Sequence, residues 1–420
     1  MVAAPGKDMR CGQSNVVIWE DLSMLSKKTA DGLKNGSAIR AMFVEGKEMA
    51  ERFGAENVYD FSLGNPATPA PEAVKRALIE AVETVDPLTL HGYMNNAGFP
   101  ETRRAVANSC NERFGTAFDE NDIVMTVGAA GGLNIVLKAI LDPGDEVVVF
   151  SPYFGEYRNY VQNFDGVIVE TAPDLSSFQP DLADFESRLT EKTKAVIINT
   201  PNNPTGVIYR PDTLDAIGRI LEKAEEKFHT TICLISDEPY RELRYDGTEP
   251  DFLTKYYRNT IVCYSFSKSL SLPGERIGYI AVPKEAAGHD ELVAGISLCN
   301  RILGFVNAPS LIQKAIESCL SEKTDVAFYD ENRKLLLDGL TKAGFTCIPP
   351  DGAFYLWMKS PEPDEKSFVQ KAKAYHLLLV PGSTFGCGGY VRMAYCVSKE
   401  MIERSLPAFS ALAKEYGLNG

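Results

Sequence analysis

The stretch that decides the fold is residues 261–278, which read IVCYSFSKSLSLPGERIG. It begins as a buried apolar strand and passes at once into small polar residues and a lysine. Two similar junctions lie upstream: a strand at 195–199 precedes residues 202–206 (NNPTG), and a strand at 232–236 precedes Asp237. Ligands of α/β sheets bind outside the carboxyl ends of the strands. The pattern therefore predicts one polar site assembled from several strand ends.

Apolar strands alternate with helical stretches on both sides of these junctions. The seven strands predicted in this part are 123–127, 146–150, 167–169, 195–199, 232–236, 261–264 and 277–282. This alternation predicts an α/β fold, with a mostly parallel sheet flanked by helices on both faces. Four later helices and two strands, at 354–358 and 390–395, predict a smaller α+β domain.

The domain limits follow from these patterns. We expect an N-terminal extension at residues 1–23, a large domain at 61–309, and a small domain formed by both chain ends, 24–60 and 310–420. A continuous helix near residue 310 is expected to join the two domains. A Gly/Ala-rich turn is expected at 128–131, before a helix from Gly132 to Ile140.

Composition excludes several classes of protein. With 57 acidic and 43 basic side chains the net charge is −14, which argues against nucleic acid or an anionic membrane as the main partner. The nine cysteines are scattered and odd in number, and the four histidines form no metal-binding motif, so neither disulfides nor a metal site is expected. No apolar run reaches the ~20 residues of a membrane span, and residues 1–11 lack a secretory signal. A cytoplasmic protein is the prediction.

The order of the motifs carries a family resemblance. Gly64, Gly128-Ala129-Ala130-Gly131, Pro152-Tyr153-Phe154, NNPTG at 202–206, Asp237-Glu238-Pro239-Tyr240, Ser265-Phe266-Ser267-Lys268, Arg276 and Arg392 follow one another along the chain. With these motifs the chain resembles the class I/II aminotransferases of the aspartate aminotransferase superfamily, which are fold-type-I pyridoxal-phosphate enzymes. The resemblance extends over about residues 30–415. It implies that residues 61–309 are the pyridoxal-phosphate-binding domain.

The resemblance assigns the cofactor to particular residues. Lys268 would hold pyridoxal phosphate as a Schiff base and then act as general acid and base. Asp237 would stabilise the protonated pyridine nitrogen, and Tyr240 and Asn203 would bind the phenolic oxygen. Phe154 matches the position that stacks on the ring, although its neighbour Tyr153 is easily confused with it.

The cofactor phosphate requires donors and positive charge. The resemblance implies Arg276, Ser265 and Ser267 for this role, together with the amides of Gly128, Ala129 and Ala130 at a strand-to-helix turn. Tyr93 matches a tyrosine that reaches the phosphate of the other subunit. A homodimer with shared active sites is therefore expected.

The substrates implied are an L-amino acid and a 2-oxo acid, converted by ping-pong transamination. Arg392 would bind the α-carboxylate, with Gly64 and Asn203 beside it. For aspartate or glutamate a second cation would be needed, and Arg301 lies only near the position where one subgroup places it. Aspartate-type or broad specificity is expected.

Three alternatives stay open on the sequence. Carbon–sulfur β-lyases of the cystathionine type use the same lysine, aspartate, tyrosine and arginine, and so does a ring-forming synthase acting on S-adenosylmethionine. A regulatory or binding protein on the same scaffold is the non-enzyme alternative, but it would be expected to have lost Lys268 or Asp237, and both are present.

Overall fold

A computed structural model describes residues 24–34 and 38–418 of the chain. Its strands are β1 Tyr59–Asp60, β2 Ile123–Thr126, β3 Glu146–Val149, β4 Val167–Glu170, β5 Thr193–Asn199, β6 Cys233–Asp237, β7 Thr260–Ser265, β8 Gly278–Ala281, β9 Cys347–Ile348, β10 Tyr355–Lys359, β11 Leu377–Leu378, β12 Val380–Pro381 and β13 Tyr390–Ala394. Its α-helices are α1 Lys27–Lys34, α2 Ala38–Phe53, α3 Glu72–Thr84, α4 Pro87–His91, α5 Pro100–Phe114, α6 Gly128–Ile140, α7 Glu156–Asn163, α8 Leu182–Arg188, α9 Pro211–Phe228, α10 Phe266–Ser269, α11 His289–Ile302, α12 Ser310–Ile316, α13 Val326–Lys342, α14 Glu365–Lys373 and α15 Lys399–Glu415. The predicted extension at 1–23 lies outside the described residues.

The large sheet has seven strands in the order β2-β8-β7-β6-β5-β3-β4. Strand β8 is antiparallel to both its neighbours, and all other pairs are parallel. The central strands are buried along nearly their whole length, as expected where helices cover both faces of a sheet. The predicted α/β class, with a mostly parallel seven-stranded sheet flanked by helices, is confirmed.

A smaller antiparallel sheet follows in the chain, in the order β12-β13-β10-β9. Its central pair aligns Tyr355 with Ala394 and Trp357 with Arg392. Strand β1 pairs in parallel with β11, which brings residues 59–60 beside residues 377–378. The smaller α+β part is thus confirmed, whereas the boundaries at 60/61 and 309/310 stay predictions.

The predicted continuous helix near residue 310 is wrong. Helix α12 ends at Ile316, and α13 begins only at Val326. The segment between them, residues 317–325, contacts the end of α10 instead, because the amide of Thr324 donates to the carbonyl of Ser269 at 2.7 Å. The predicted turn at 128–131 is also corrected, because these residues form the first turn of α6.

Two further properties concern cysteines and membranes. The eight cysteines among the described residues are all free. Within residues 24–34 and 38–418, none of the helices combines the length and apolarity that a bilayer span requires.

Candidate active site

A cavity of about 290 Å³ opens where strands β5, β6 and β7 end. These strands deliver Asn199, Asp237 and Ser265 to its wall, because parallel strands end at the same edge of the sheet. The sequence-predicted residues that line it are Gly64, Ala129, Ala130, Phe154, Asn203, Asp237, Tyr240, Ser265, Ser267, Lys268, Arg276 and Arg392. Motifs separated by more than 300 residues along the chain therefore meet at one site.

Lys268 lies in the single turn of α10, directly after β7. Ser265 caps this turn by accepting a hydrogen bond from the amide of Ser267. The Lys268 ammonium donates to the carbonyl oxygen of Gly64 at 2.6 Å. Removal from water lowers the pKa of Lys268 to about 8, and the positive charges of Arg276 and Arg392 act in the same direction. A neutral amine, which is the nucleophilic form, is therefore accessible near physiological pH.

Asp237 is the last residue of β6 and is buried. Its Oδ2 accepts a hydrogen bond from the hydroxyl of Tyr157 at 2.5 Å. Its Oδ1 is buried without a hydrogen-bonding partner among the described residues. Burial raises the pKa of Asp237 to about 7, against the opposing effect of the Tyr157 hydrogen bond. A cation placed against Oδ1 would restore the ordinary ionised state.

One end of the cavity is formed by Arg276 and the N-terminus of α6. The Arg276 guanidinium donates to the carbonyls of Pro273 and Val127, at 2.9 and 3.1 Å. Gly128 has φ +81°, and a Cβ there would lie 2.9 Å from Arg276 Nη2. Glycine thus permits the close approach of the guanidinium to the first turn of a 13-residue helix, where backbone amides favour an anion.

Arg392 projects from β13 and is 2% exposed. Its guanidinium donates to Asn203 Oδ1 at 3.1 Å and to the carbonyl of Ser62 at 2.6 Å, and its Nε has no partner among the described residues. Burial lowers the pKa of Arg392, and no Asp or Glu among the described residues offsets that effect. A buried guanidinium without a carboxylate is costly, which suits it to receive one from a ligand.

The remaining predicted residues differ in their positions. Tyr240 is buried, and its hydroxyl lies 2.9 Å from that of Tyr355. Phe154 lines the cavity and packs edge-on against Tyr157. Tyr93 is 94% exposed and Arg301 is exposed on α11, and neither lines the cavity of its own chain.

Some residues of the site were not predicted. Tyr160, Asn199 and Tyr355 line the cavity. Tyr157 is not part of the lining but donates a hydrogen bond to Asp237. The sequence feature that could have revealed Tyr355 is period-two alternation. Tyr355 and Trp357 share one face of β10, and Trp357 aligns with Arg392. The signal for Tyr157 and Tyr160 was their spacing of three residues on α7.

The fold and the cavity together define a fold-type-I pyridoxal-phosphate-dependent enzyme. The chain belongs to the class I and II aminotransferases: the family model described as "Aminotransferase class I and II" matches residues 56–409. It is accordingly a pyridoxal-phosphate-dependent transferase of the aminotransferase type.

Individual relatives agree with this family. The aspartate/prephenate aminotransferase of Thermus thermophilus is 32% identical over 380 residues, covering 87% of this chain and 94% of that protein. A crystal structure of an aminotransferase from Eubacterium rectale has a TM-score of 0.91 and 45% identity, covering 94% of this chain and 100% of that one. A structure of aspartate aminotransferase from Thermus thermophilus with maleate has a TM-score of 0.82 and 28% identity, covering 93% and 100%.

The residues of the cavity fit the cofactor that this family uses. The orphaned Oδ1 of Asp237 offers a partner for a protonated ring nitrogen, and the half-buried amine of Lys268 offers a nucleophile for an aldehyde. The cradle between Gly128 and Arg276, with the Ser265 and Ser267 hydroxyls nearby, offers the charge and donors for a phosphate.

The lowered pKa of Lys268 predicts how the cofactor-free enzyme takes up pyridoxal phosphate. Attachment requires the neutral amine, so its rate should rise with pH around a midpoint near 8, not near the 10.5 of an ordinary lysine. Stopped-flow visible absorbance at a series of pH values, extrapolated to low cofactor concentration, measures this midpoint. A rate that still rises steeply above pH 10 would contradict the lowered pKa.

Proposed function

We propose that this enzyme moves the amino group of an L-amino acid to a 2-oxo acid by ping-pong transamination, with aspartate-type or broad specificity. The observation that carries the proposal is the shared cavity of Lys268, Asp237 and Arg392. The amine of Lys268, the buried carboxylate of Asp237 and the buried guanidinium of Arg392 surround one small volume. Transamination at the α-carbon of an amino acid requires these three functions together.

Each residue has a definite task in this proposal. Arg392 and Asn203 bind the substrate α-carboxylate and so orient the Cα–H bond toward the amine of Lys268. Lys268, once its amine is released, takes the proton from Cα and would return it to the former aldehyde carbon of the cofactor, two atoms further along. Asp237, held by Tyr157, stays ionised and stabilises positive charge on the ring nitrogen. Bound pyridoxal phosphate supplies the aldehyde that takes the amino group and the ring that accepts electrons.

Specificity is proposed from the charges of the cavity. Its cations among the described residues are Lys268, Arg276 and Arg392, and the proposal uses all three for the cofactor and the α-carboxylate. None of these three cations is then left for the distal carboxylate of aspartate. Arg301, which lies near the position where one subgroup places such a cation, is exposed on α11 outside the cavity lining. The name of the Thermus relative supports aspartate as a substrate, and the aromatic side chains of Phe154, Tyr160 and Tyr355 are compatible with larger, less polar ones.

We also propose a homodimer in the cytoplasm. Tyr93 is 94% exposed, together with Leu88 at 85%, and both lie in the segment after α3. Such exposed apolar side chains are suited to burial against a second copy, where Tyr93 would reach the partner's phosphate site. Sedimentation velocity of the holoenzyme tests the dimer, and Tyr93→Phe tests the role of the hydroxyl in cofactor affinity.

The proposed reaction is tested by following the visible spectrum of the holoenzyme with single amino acids. The panel is aspartate, glutamate, alanine, tyrosine and cystathionine, and each addition is followed by a 2-oxo acid. A transaminase loses its visible absorbance with a good amino acid and recovers it with the oxo acid, which is converted to an amino acid. Release of pyruvate and ammonia from cystathionine without a second oxo acid would instead indicate a β-lyase and contradict the proposal.

A further inference from the structure

Tyr355 contacts Tyr240, Arg392 and Gly64, to which the proposed reaction gives separate roles. It lies on β10, is 3% exposed, and lines the cavity. Its hydroxyl oxygen lies 2.9 Å from that of Tyr240. The guanidinium carbon of Arg392 lies 4.5 Å from the centre of its ring. The Tyr355 hydroxyl also packs against the backbone of Gly64, the residue whose carbonyl accepts the hydrogen bond from Lys268.

The proposed chemistry of the site decides which hydroxyl donates in the hydrogen bond between Tyr355 and Tyr240. Each hydroxyl carries one proton, and one of the two protons lies between the oxygens. If Tyr240 donated to Tyr355, it would have no proton left for the phenolic oxygen of the cofactor. If Tyr355 donates, Tyr240 accepts that bond and its own proton is free to point into the cavity. Among the described residues, Tyr240 is the hydrogen-bonding partner found for the Tyr355 hydroxyl.

The ring of Tyr355 acts on the other side of the cavity. Arg392 is buried without an acidic partner, and its planar cation lies over the ring of Tyr355 and, at 4.8 Å, that of Phe385. A cation over an aromatic face is attracted by the ring, and the attraction strengthens when water is excluded. The two rings therefore fix the plane in which the guanidinium would meet a carboxylate.

We propose that Tyr355 is a positioning residue: its hydroxyl orients the proton of Tyr240 toward the cofactor, and its ring orients Arg392 toward the substrate carboxylate. This inference deepens the proposed transamination and rests on it. Removing the hydroxyl and removing the ring should then have separate consequences. A side chain that only filled space would show neither pattern.

The test of the hydroxyl is a pH titration of the visible absorbance of the resting holoenzyme, without substrate. A hydrogen bond from Tyr240 stabilises the anionic phenolic oxygen and so lowers the pKa of the lysine-linked cofactor. Tyr355→Phe should weaken that bond and raise this pKa by about 0.5 to 1 unit. The charged groups around the cofactor, Lys268, Asp237, Arg276 and Arg392, are unchanged in the variant.

The test of the ring is steady-state kinetics with the best amino acid of the panel. Tyr355→Leu should raise KM about 3- to 30-fold through the loss of the cation–ring contact, with a smaller change in kcat. Tyr355→Phe keeps the ring and should leave KM within about twofold of wild type.

The matched control is Tyr245→Phe. Tyr245 is also 3% exposed and packs in the same hydrophobic cluster, but its hydroxyl donates to the carbonyl of Ala353 and does not line the cavity. This variant should change neither the titration nor KM. Thermal unfolding of all variants establishes that they are folded, and if Tyr355→Leu is not, Tyr355→Met, which also lacks the ring, replaces it in the kinetic test.

A Tyr355→Phe titration that superimposes on wild type would overturn the claim for the hydroxyl, and an unchanged KM in Tyr355→Leu would overturn that for the ring. Because the titration uses no substrate, it gives its result even if no amino acid reacts. Failure of the panel would contradict the proposed function, whereas failure of the titration would contradict the role of Tyr355.

Discussion

Lys268→Ala should lower turnover about 10²- to 10⁴-fold, a loss typical of removing a positioned general acid and base. Lys268 is the lysine that lines the cavity, and its ammonium reaches the Gly64 carbonyl at 2.6 Å. The variant keeps the phosphate cradle at Gly128 and Arg276, so it should still bind pyridoxal phosphate without covalent attachment. Steady-state turnover with the best amino acid and oxo acid of the panel measures the loss.

Lys284→Ala is the control for this experiment. Lys284 is exposed and pairs with Asp119 at 2.7 Å, and it lies outside the lining of the cavity. Its replacement should leave turnover within about twofold, as is usual for an exposed ion pair. Turnover by Lys268→Ala within tenfold of wild type, in a preparation free of wild-type enzyme, would remove Lys268 from the reaction.

Arg392→Ala should lower kcat/KM for amino acids by about 10²- to 10⁴-fold. The reason is the loss of two charge-assisted hydrogen bonds to the α-carboxylate, each of which contributes about 1.5–3 kcal/mol. Most of the effect should appear in KM, because the carboxylate is bound in both the ground state and the transition state. Arg392→Lys should fall between wild type and alanine, since an ammonium keeps the charge but not the planar fork.

The matched control for Arg392 is a change of substrate. A primary amine that lacks the carboxylate but keeps the side chain should react slowly with wild type and equally slowly with Arg392→Ala. The defect would then depend on the carboxylate and not on a general distortion of the site. An equal loss with the amino acid and with the amine would instead indicate that Arg392, which also bonds to Asn203 and Ser62, has a structural role.

The sheet and the strand-end motifs could be predicted because they depend on local pattern. Strands β5, β6 and β7 are apolar runs that stop at polar residues, and side chains at these stops are carried to one edge by the topology. Lys268 and Asp237 were therefore found from the sequence as members of one site. Arg392 lies in the middle of β13, and its role was inferred from the family resemblance and not from a strand end.

The contacts around these residues could not be predicted in the same way. Tyr157 meets Asp237 across 80 residues of sequence, and Tyr355 meets Tyr240 across 115. Periodicity assigns Tyr157 and Tyr355 to a face of their own helix or strand, but which residue each of them meets depends on how the helices and sheets pack. The start of α6 was missed for a related reason, because its glycines have low intrinsic helix propensity and packing against the sheet overrides it.

The central claim is that Lys268 holds the cofactor in this cavity. It is tested most directly by reducing the holoenzyme with borohydride, which fixes the lysine–cofactor bond, and then locating the modified peptide by mass spectrometry. The account predicts one equivalent of pyridoxyl phosphate on the peptide that contains Lys268, and none after Lys268→Ala. Modification of a different lysine, or a reduced protein without attached cofactor, would contradict it.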